Sequence, residues 1–465
     1  MAEHTLSRRI AELAAQTQLD RLPADVVAST RLRILDTLGL ALRAQELDSS
    51  RAVTGYVTDQ GGRPEATAIG VAERVPAALA ALVNGTLAHS LDYDDTHLPS
   101  VLHPSAGVVP AALAAAEAVG ASGADLVAAV AVGLEACVRI GMAGYDHESR
   151  NSTFFEHGQH ATSICGALGG AVAAAMLHRL DADGIQSSLG VAASMASGII
   201  EANRTGGTVK RLHCGWAAHS AVTAADLTRR GITGPPTALE GRFGFFQAFL
   251  HGRFDADQVT AGLGETWAVP DIFFKPYPAN HFTHTTIDAA AELRRRGVHP
   301  ADVESIEVRV PGPVIRTIGE PIDIKRAPQT GYQAQFSAPY AVTVGLFGGG
   351  GLGAALQDYT DDLATDPVRR ELMAKVSVVA DPRCDAIFPY QFPAILTARL
   401  SGGRTETVEV LANRGGDQRP LTDDEVGRKF TDNACAVLPA AEVERLRATV
   451  LTLDTVADVR TLLHP

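Results

Sequence analysis

Residues 269–293, VPDIFFKPYPANHFTHTTIDAAAEL, mark the point at which the chain changes its periodicity. After them, VESIEVRVPG (303–312), KVSVVADP (375–382) and ILTARLSGGRTETVEVLAN (395–413) alternate apolar with polar residues at period two, the pattern of half-buried strands. The last of these holds a Gly-Gly pair between two strand-like runs, a hairpin signal. Helical patterns at 285–297 and around 338–357 lie among the strands, so 268–412 reads as a smaller α+β domain. The long uncharged run FSAPYAVTVGLFGGGGLGAAL (336–356) contains a proline and four consecutive glycines. It reads as a buried element ending in a glycine loop rather than as a membrane span.

Before the change, the chain is helical almost throughout. SRRIAELAAQ (7–16), DVVASTRLRILDTLGLALRA (25–44), SGADLVAAVAVGLEACVRIG (122–141) and CGALGGAVAAAMLHRL (165–180) place apolar residues at three-to-four spacing. So many positions are Ala or Gly that the helices can approach closely, as in a bundle. No fixed-period repeat is present, which disfavours a solenoid. The tail, 413–465, returns to amphipathic helix and is expected to rejoin the first domain. The fold class expected is therefore mainly α: a large all-helical domain (1–267), an inserted smaller α+β domain (268–412), and C-terminal helices (413–465).

The 465 residues are 46% hydrophobic, enough for a large core. With 53 Asp and Glu against 40 Lys and Arg, the formal net charge is -13. This field repels phosphate backbones and anionic lipid, so neither nucleic acid nor membrane is an expected partner. A small acidic substrate would need a local cationic pocket. The five cysteines are scattered and form no C-x-x-C pair, which argues against a disulfide framework or a structural zinc site. MAEHTLSRRIAELAAQ lacks a secretory or transit pattern, and a cytoplasmic location is expected.

Polar groups break the apolar pattern in four places. In AALAALVNGTLAHSLDYDD (77–95), continuing the helix at about 100° per residue aligns His89, Asp92 and Thr96 in one stripe with Asp95 beside it. Pro99 and Pro104 then force a loop that holds His103 near the helix end. A solvated face, a metal-ligand set and a catalytic wall are all compatible with this pattern, although the spacing matches no tight metal signature. FFEHGQHATSICGALGGAVAAA (154–175) sets His157 and His160 before a tightly packing helix, as caps or as catalysts. RTGGTVKRLHCGWAAHSAV (204–222) places Arg204, Lys210 and Arg211 at a glycine loop and helix entry, a setting for an anion or simply a solvated basic turn. FKPYPANHFTH (274–284) adds Lys275, Asn280, His281 and His284 at the domain boundary, a common location for a cleft.

In their order and spacing these segments resemble the MmgE/PrpD family, whose members include 2-methylcitrate dehydratase, cis-aconitate decarboxylase and an iminodisuccinate epimerase. The resemblance runs through NGTLAHSLDYDDTHLPSVLHPSAGVVPAALAAAE (84–117), HGQHATSICGALGGA (157–171), GGTVKRLHCGWAAHSAV (206–222), TALEGRFGFFQAF (237–249), KPYPANHFTHTTIDAA (275–290) and the KF at 429–430. It implies a helical domain with an inserted lid domain, a homodimer, a small polycarboxylate substrate, and no metal or organic cofactor. It also implies a site made of Asp92, Thr96, His103, His160 and Lys210. His103 would transfer a proton with His160 as its partner or as a substrate binder, Asp92 would orient an imidazole, and Thr96 and the Lys275, Asn280 and His281 segment would bind substrate.

The implied chemistry is a carbon-oxygen or carbon-carbon lyase working beside a carboxylate. Asn280 stands where the decarboxylase branch carries a histidine, so the expectation is dehydration first, with decarboxylation or epimerisation as alternatives. A metal hydrolase and a non-catalytic helical interaction protein are the remaining classes. The latter leaves the His, Lys and Asp set without a purpose.

Overall fold

The computed structural model describes residues 4–202 and 206–463. Its chain divides into two units, one running to Ile272 and resuming at Phe430, the other spanning Phe273–Lys429. The first unit is built from helices, among them Leu6–Gln16, Ala24–Arg43, Ala77–His89, Pro104–Val119, Gly123–Ala143, Ala161–Leu177 and Val209–Thr228. Local chemistry sets their limits. Ser122 accepts from Asp125 N at the start of Gly123–Ala143, Pro104 occupies the first position of Pro104–Val119, and Gly120 at φ 65 ends that helix. Gly123–Ala143 is long and apolar enough to cross a membrane by length and composition alone, and 94% of its apolar window is buried within the protein.

One crossing positions the site. A Cβ on Gly85 would lie 2.7 Å from Cys214 O, and one on Gly215 would lie 2.2 Å from Leu82 O and 2.1 Å from Thr86 Oγ1. The helices Ala77–His89 and Val209–Thr228 thus touch backbone to backbone, which only glycine permits. His89 lies one turn beyond that crossing on the first helix. Lys210 and His213 lie just before it on the second, and the crossing brings them to the same end of the pair.

The second unit centres on a four-stranded sheet in the order Val376–Ala380, Val303–Val310, Ala394–Leu400, Thr405–Val410. The first pair is parallel and the other two are antiparallel. Ile306 stands opposite Val376 and Ala398, and Val308 opposite Val378 and Leu396, so alternate residues line one apolar face. Ala289, Ala290 and Leu293 of His284–Arg295 pack on that face with Val342 and Leu346 of Ala338–Phe347. Gly402 and Gly403, at φ 87 and 83, make the hairpin turn that the Gly-Gly pair signals.

Three boundaries differ from the sequence expectation. The helix expected through residue 95 ends at His89, and the one expected to about 357 ends at Phe347, where Gly348 at φ 89 breaks it. Residues 413–429, expected with the helical part, belong to the second unit. The reason is a set of polar anchors there: Phe274 N donates to Gly415 O at 2.9 Å, Arg419 bonds Asp288 and Ala412 O, and Arg414 bonds Leu352 O and Glu425. The first unit resumes at Phe430, whose ring packs on Gly39 of Ala24–Arg43.

Candidate active site

The helix Ala77–His89 stops because Ser90 Oγ donates back to Thr86 O at 2.6 Å and because the three aspartates that follow would oppose the negative end of the helix dipole. Asp92 takes φ 53, a left-handed conformation that Asp tolerates better than most residues. The expected helical stripe of His89, Asp92 and Thr96 is therefore replaced by a turn, in which Asp92 and Thr96 are loop residues. His97 N closes the loop on Leu102 O at 2.8 Å. Asp95 ties it down: its carboxylate pairs with Arg33 at 3.0 Å, both side chains almost fully buried, and accepts from Ser105 N at 3.2 Å and from Ser105 Oγ. Asp95 thus caps the Pro104–Val119 helix and is neutralised by Arg33, a structural ion pair whose breaking would leave a buried charge.

Above this base four imidazoles form a chain. His103 and His89 have ring centroids 5.4 Å apart, His89 and His160 5.5 Å, and His160 and His213 4.9 Å. His89 Nδ1 meets Asp94 Oδ2 at 2.7 Å, and its Nε2 is buried with no hydrogen-bond partner among the described residues. His103 Nδ1 donates to Asp95 O at 2.7 Å, with Thr96 Oγ1 at 3.3 Å and Asp94 Oδ2 at 3.9 Å. His103 N donates to Thr162 Oγ1 at 3.2 Å, which fastens the loop to the helix that His160 begins. His160 Nδ1 and His213 Nδ1 are 2.9 Å apart.

The cationic element is Lys210, whose Nζ lies 3.4 Å from Asp92 Oδ1. His103 and His160 are the N-cap residues of Pro104–Val119 and Ala161–Leu177, and Lys210 is the second residue of Val209–Thr228. Three helix N-termini, each carrying about half a positive charge, therefore gather where one helix C-terminus ends at His89. This arrangement favours a ligand with several negative charges. Burial holds the His160 imidazole well below its ordinary range, aided by His89, Lys210, His213 and His103. It lowers His213 to about 4, aided by His89 and Lys210.

The structure thus brings Asp92, Thr96, His103, His160 and Lys210 into one cluster, with different partners than expected. The carboxylate that orients an imidazole is Asp94, on His89, whereas Asp92 faces Lys210. Of the basic group at the glycine loop, Arg204 lies outside the described residues, and Arg211 bonds Ser49 at 3.0 Å. His157 bonds Phe249 O and lies edge-on to His251. Lys275, Asn280 and His281 lie in the second unit. There Lys275 is buried, Asn280 Oδ1 accepts from Phe282 N at 3.1 Å as a cap, and His281 packs against His284, Phe273 and Phe392.

Sequence reasoning left His89, Asp94 and His213 out of the site. His213 carried a usable signal, since it follows Lys210 by three residues and so shares its helix face. His89 carried one too, since the expected stripe aligned it with Asp92 and Thr96, whereas Asp94 carried none once the helix was extended past residue 89, because that extension turns Asp94 to the opposite side. Among the described residues, no three His, Cys, Asp or Glu side chains are placed so that they could hold a metal ion.

Comparison with known proteins adds to this geometry. The model of the MmgE/PrpD N-terminal domain matches residues 8–257, and that of the MmgE/PrpD C-terminal domain matches residues 277–455. The chain is 28% identical over 459 residues to a cis-aconitate decarboxylase of Mus musculus, covering 96% of this chain and 90% of that protein. It is 29% identical over 450 residues to the cis-aconitate decarboxylase of Homo sapiens, covering 94% and 89%. A mitochondrial 2-methylcitrate dehydratase of Yarrowia lipolytica matches at 28% over 176 residues, covering 36% and 32%.

Proposed function

The chain belongs to the MmgE/PrpD family, and from that premise we propose that it is a lyase that decarboxylates cis-aconitate or a closely similar unsaturated tricarboxylate. The observation that carries the reading is the gathering of Lys210, three helix N-termini and the His103, His89, His160, His213 chain at one place. Decarboxylation stands ahead of the dehydration expected from sequence because the matches to cis-aconitate decarboxylases span nearly the whole chain, whereas the dehydratase match covers 36% of it. Asn280, the ground for putting dehydration first, uses its amide oxygen to cap Phe282 N, and that role carries no preference between the two reactions.

In such a substrate the leaving carboxylate sits one saturated carbon from a C=C bond. Its C–C bond breaks and the electron pair forms a new terminal C=C. The old π pair moves to the carbon beside a second carboxylate, and a proton closes that carbon. The step releases carbon dioxide and consumes one proton from solvent. Lys210 and the helix N-termini would hold the carboxylates and stabilise the charge as it spreads, about 3 to 4 kcal/mol for each well-aimed donor. His103 is the proton carrier in this reading. Its side chain is 14% exposed, so solvent can recharge it, and Asp94 at 3.9 Å favours its cation. With Nδ1 held by Asp95 O, Nε2 delivers the proton.

The reading is tested by incubating the protein with cis-aconitate labelled with 13C at the leaving carboxyl, in deuterated water. Release of labelled carbon dioxide with one deuterium in the product is expected. Hydration or dehydration without loss of the label would overturn the reading.

A further inference from the structure

The substrate of the proposed reaction presents only hydrogen-bond acceptors, so an imidazole that meets its carboxylates must offer an N–H. The hydrogen bonds of the cluster determine which ring can do so while neutral. His103 Nδ1 faces a carbonyl oxygen and His89 Nδ1 faces a carboxylate. Both oxygens only accept, so in each neutral ring the proton stays on Nδ1 and Nε2 is bare. His160, by contrast, faces a nitrogen that is itself able to donate, His213 Nδ1 at 2.9 Å.

We propose that His213 is a positioning residue that donates its Nδ1 proton to Nδ1 of His160, keeping the His160 proton on Nε2, where it hydrogen-bonds the substrate carboxylate that takes up the developing charge. This rests on the decarboxylation reading for the identity of the ligand, but not for the state of the two rings.

The surroundings leave the pair little freedom. His160 N donates to Gly198 O at 3.0 Å, and His160 O accepts from Ser163 N and Ile164 N. Ser163 Oγ, one turn into the same helix, donates to His213 O at 3.0 Å, so the helices bearing the two rings are joined beside them. Both histidines are buried. The charged and titratable groups that face them are His89, Lys210 and His103, none of which favours a second positive charge. The pair therefore stays neutral at pH 7, the condition under which one Nδ1 donates and the other accepts. A neutral imidazole donor adds no charge to the site and needs no proton exchange during turnover.

The test combines nitrogen NMR with kinetics on the full-length protein labelled with 15N-histidine, His160→Gln serving to assign the signals. The expected wild-type pattern at pH 7 is a protonated Nε2 and a bare Nδ1 on His160. In His213→Phe the His160 signals should move toward a mixture of tautomers, and kcat should fall by about 10- to 100-fold with KM little changed, the size typical of losing an outer partner of a functional histidine. His213→Gln, whose amide can still donate, should retain the single tautomer and most of the turnover, and it controls for misfolding of the Phe variant. A wild-type His160 protonated on Nδ1, or unchanged His160 signals in His213→Phe, would overturn the proposal. A wild type that turns over no unsaturated tricarboxylate would overturn the decarboxylation reading, and the nitrogen spectra would still decide the role of His213.

Discussion

At the scale of single residues, the polar groups of the cluster divide into those that hold the loop and those proposed to meet the substrate. The proposed function puts Lys210 in the second kind. Lys210→Met is expected to lower kcat/KM by about 100- to 1000-fold, beyond a loss of stability that follows because the Asp92 side chain, 7% exposed, is a buried carboxylate that loses this ion pair. Equal losses of stability and activity would assign Lys210 to structure instead. His97 belongs to the first kind. Its Nδ1 bonds Ser100 Oγ at 2.7 Å, and burial, helped by Arg33, lowers it to about 4. Between the unfolded value near 6.5 and about 4, the unfolded chain binds more protons than the fold does, so stability falls as pH drops through that window. The contribution is on the order of 3 kcal/mol. His97→Asn should flatten the stability curve between pH 6.5 and 4 by about one proton's slope, measured by urea unfolding; an unchanged slope would exclude the effect. The polar residues of 88–105 were readable as exceptions to an apolar pattern, but their division into Asp95 as anchor and Asp94 as orienting group was not. It depends on Arg33, 62 residues away in sequence, and on the turn at Asp92.

At the scale of elements, the site is a product of helix ends. Period and composition were enough to mark the helices and the four strands, because alternation and three-to-four spacing are local properties. Where a helix stops is less local. The carboxylates after His89 and the Ser90 back-bond end a helix that apolar spacing alone would continue, and with that end Asp92 and Thr96 become loop residues. The crossing at Gly85 and Gly215 is equally invisible to periodicity, since a glycine in a helical run reads the same whether it faces solvent or another backbone. Gly215→Ala should be felt strongly. Its Cβ would fall 2.2 Å from Leu82 O, forcing the helices apart at a destabilisation of about 1 to 3 kcal/mol. Because the shift displaces His89 from Lys210 and His213, kcat should fall more than stability alone accounts for. An Ala variant with wild-type activity would mean that the crossing does not set the site's geometry.

At the scale of the whole molecule, a chain of formal net charge -13 is assigned a substrate with three carboxylates. The global field opposes the encounter while the local field of Lys210 and the helix N-termini favours the bound state. Raising ionic strength from about 0.01 to 0.15 M shortens the screening length from about 30 to 8 Å and should raise kcat/KM. A fall would mean that a cationic surface, rather than a small cationic pocket, guides the substrate. The overall division into a helical part and an inserted α+β part was legible from the change of period near residue 270. The return of the chain was not, because Arg414 and Arg419 keep 413–429 with the second unit through bonds to Leu352, Glu425 and Asp288 that a polar stretch does not announce.

The second unit holds its own arginine-rich cavity of about 480 Å³ lined by Tyr277, Asp288, Arg414 and Arg419 among others, and this makes the decisive measurement simple to read. A crystal structure with a non-reacting saturated tricarboxylate should show the ligand's carboxylates within hydrogen-bond distance of Lys210 Nζ and of the His160 imidazole. A ligand seated at Arg414 and Arg419 instead, with none beside Lys210, would contradict the account.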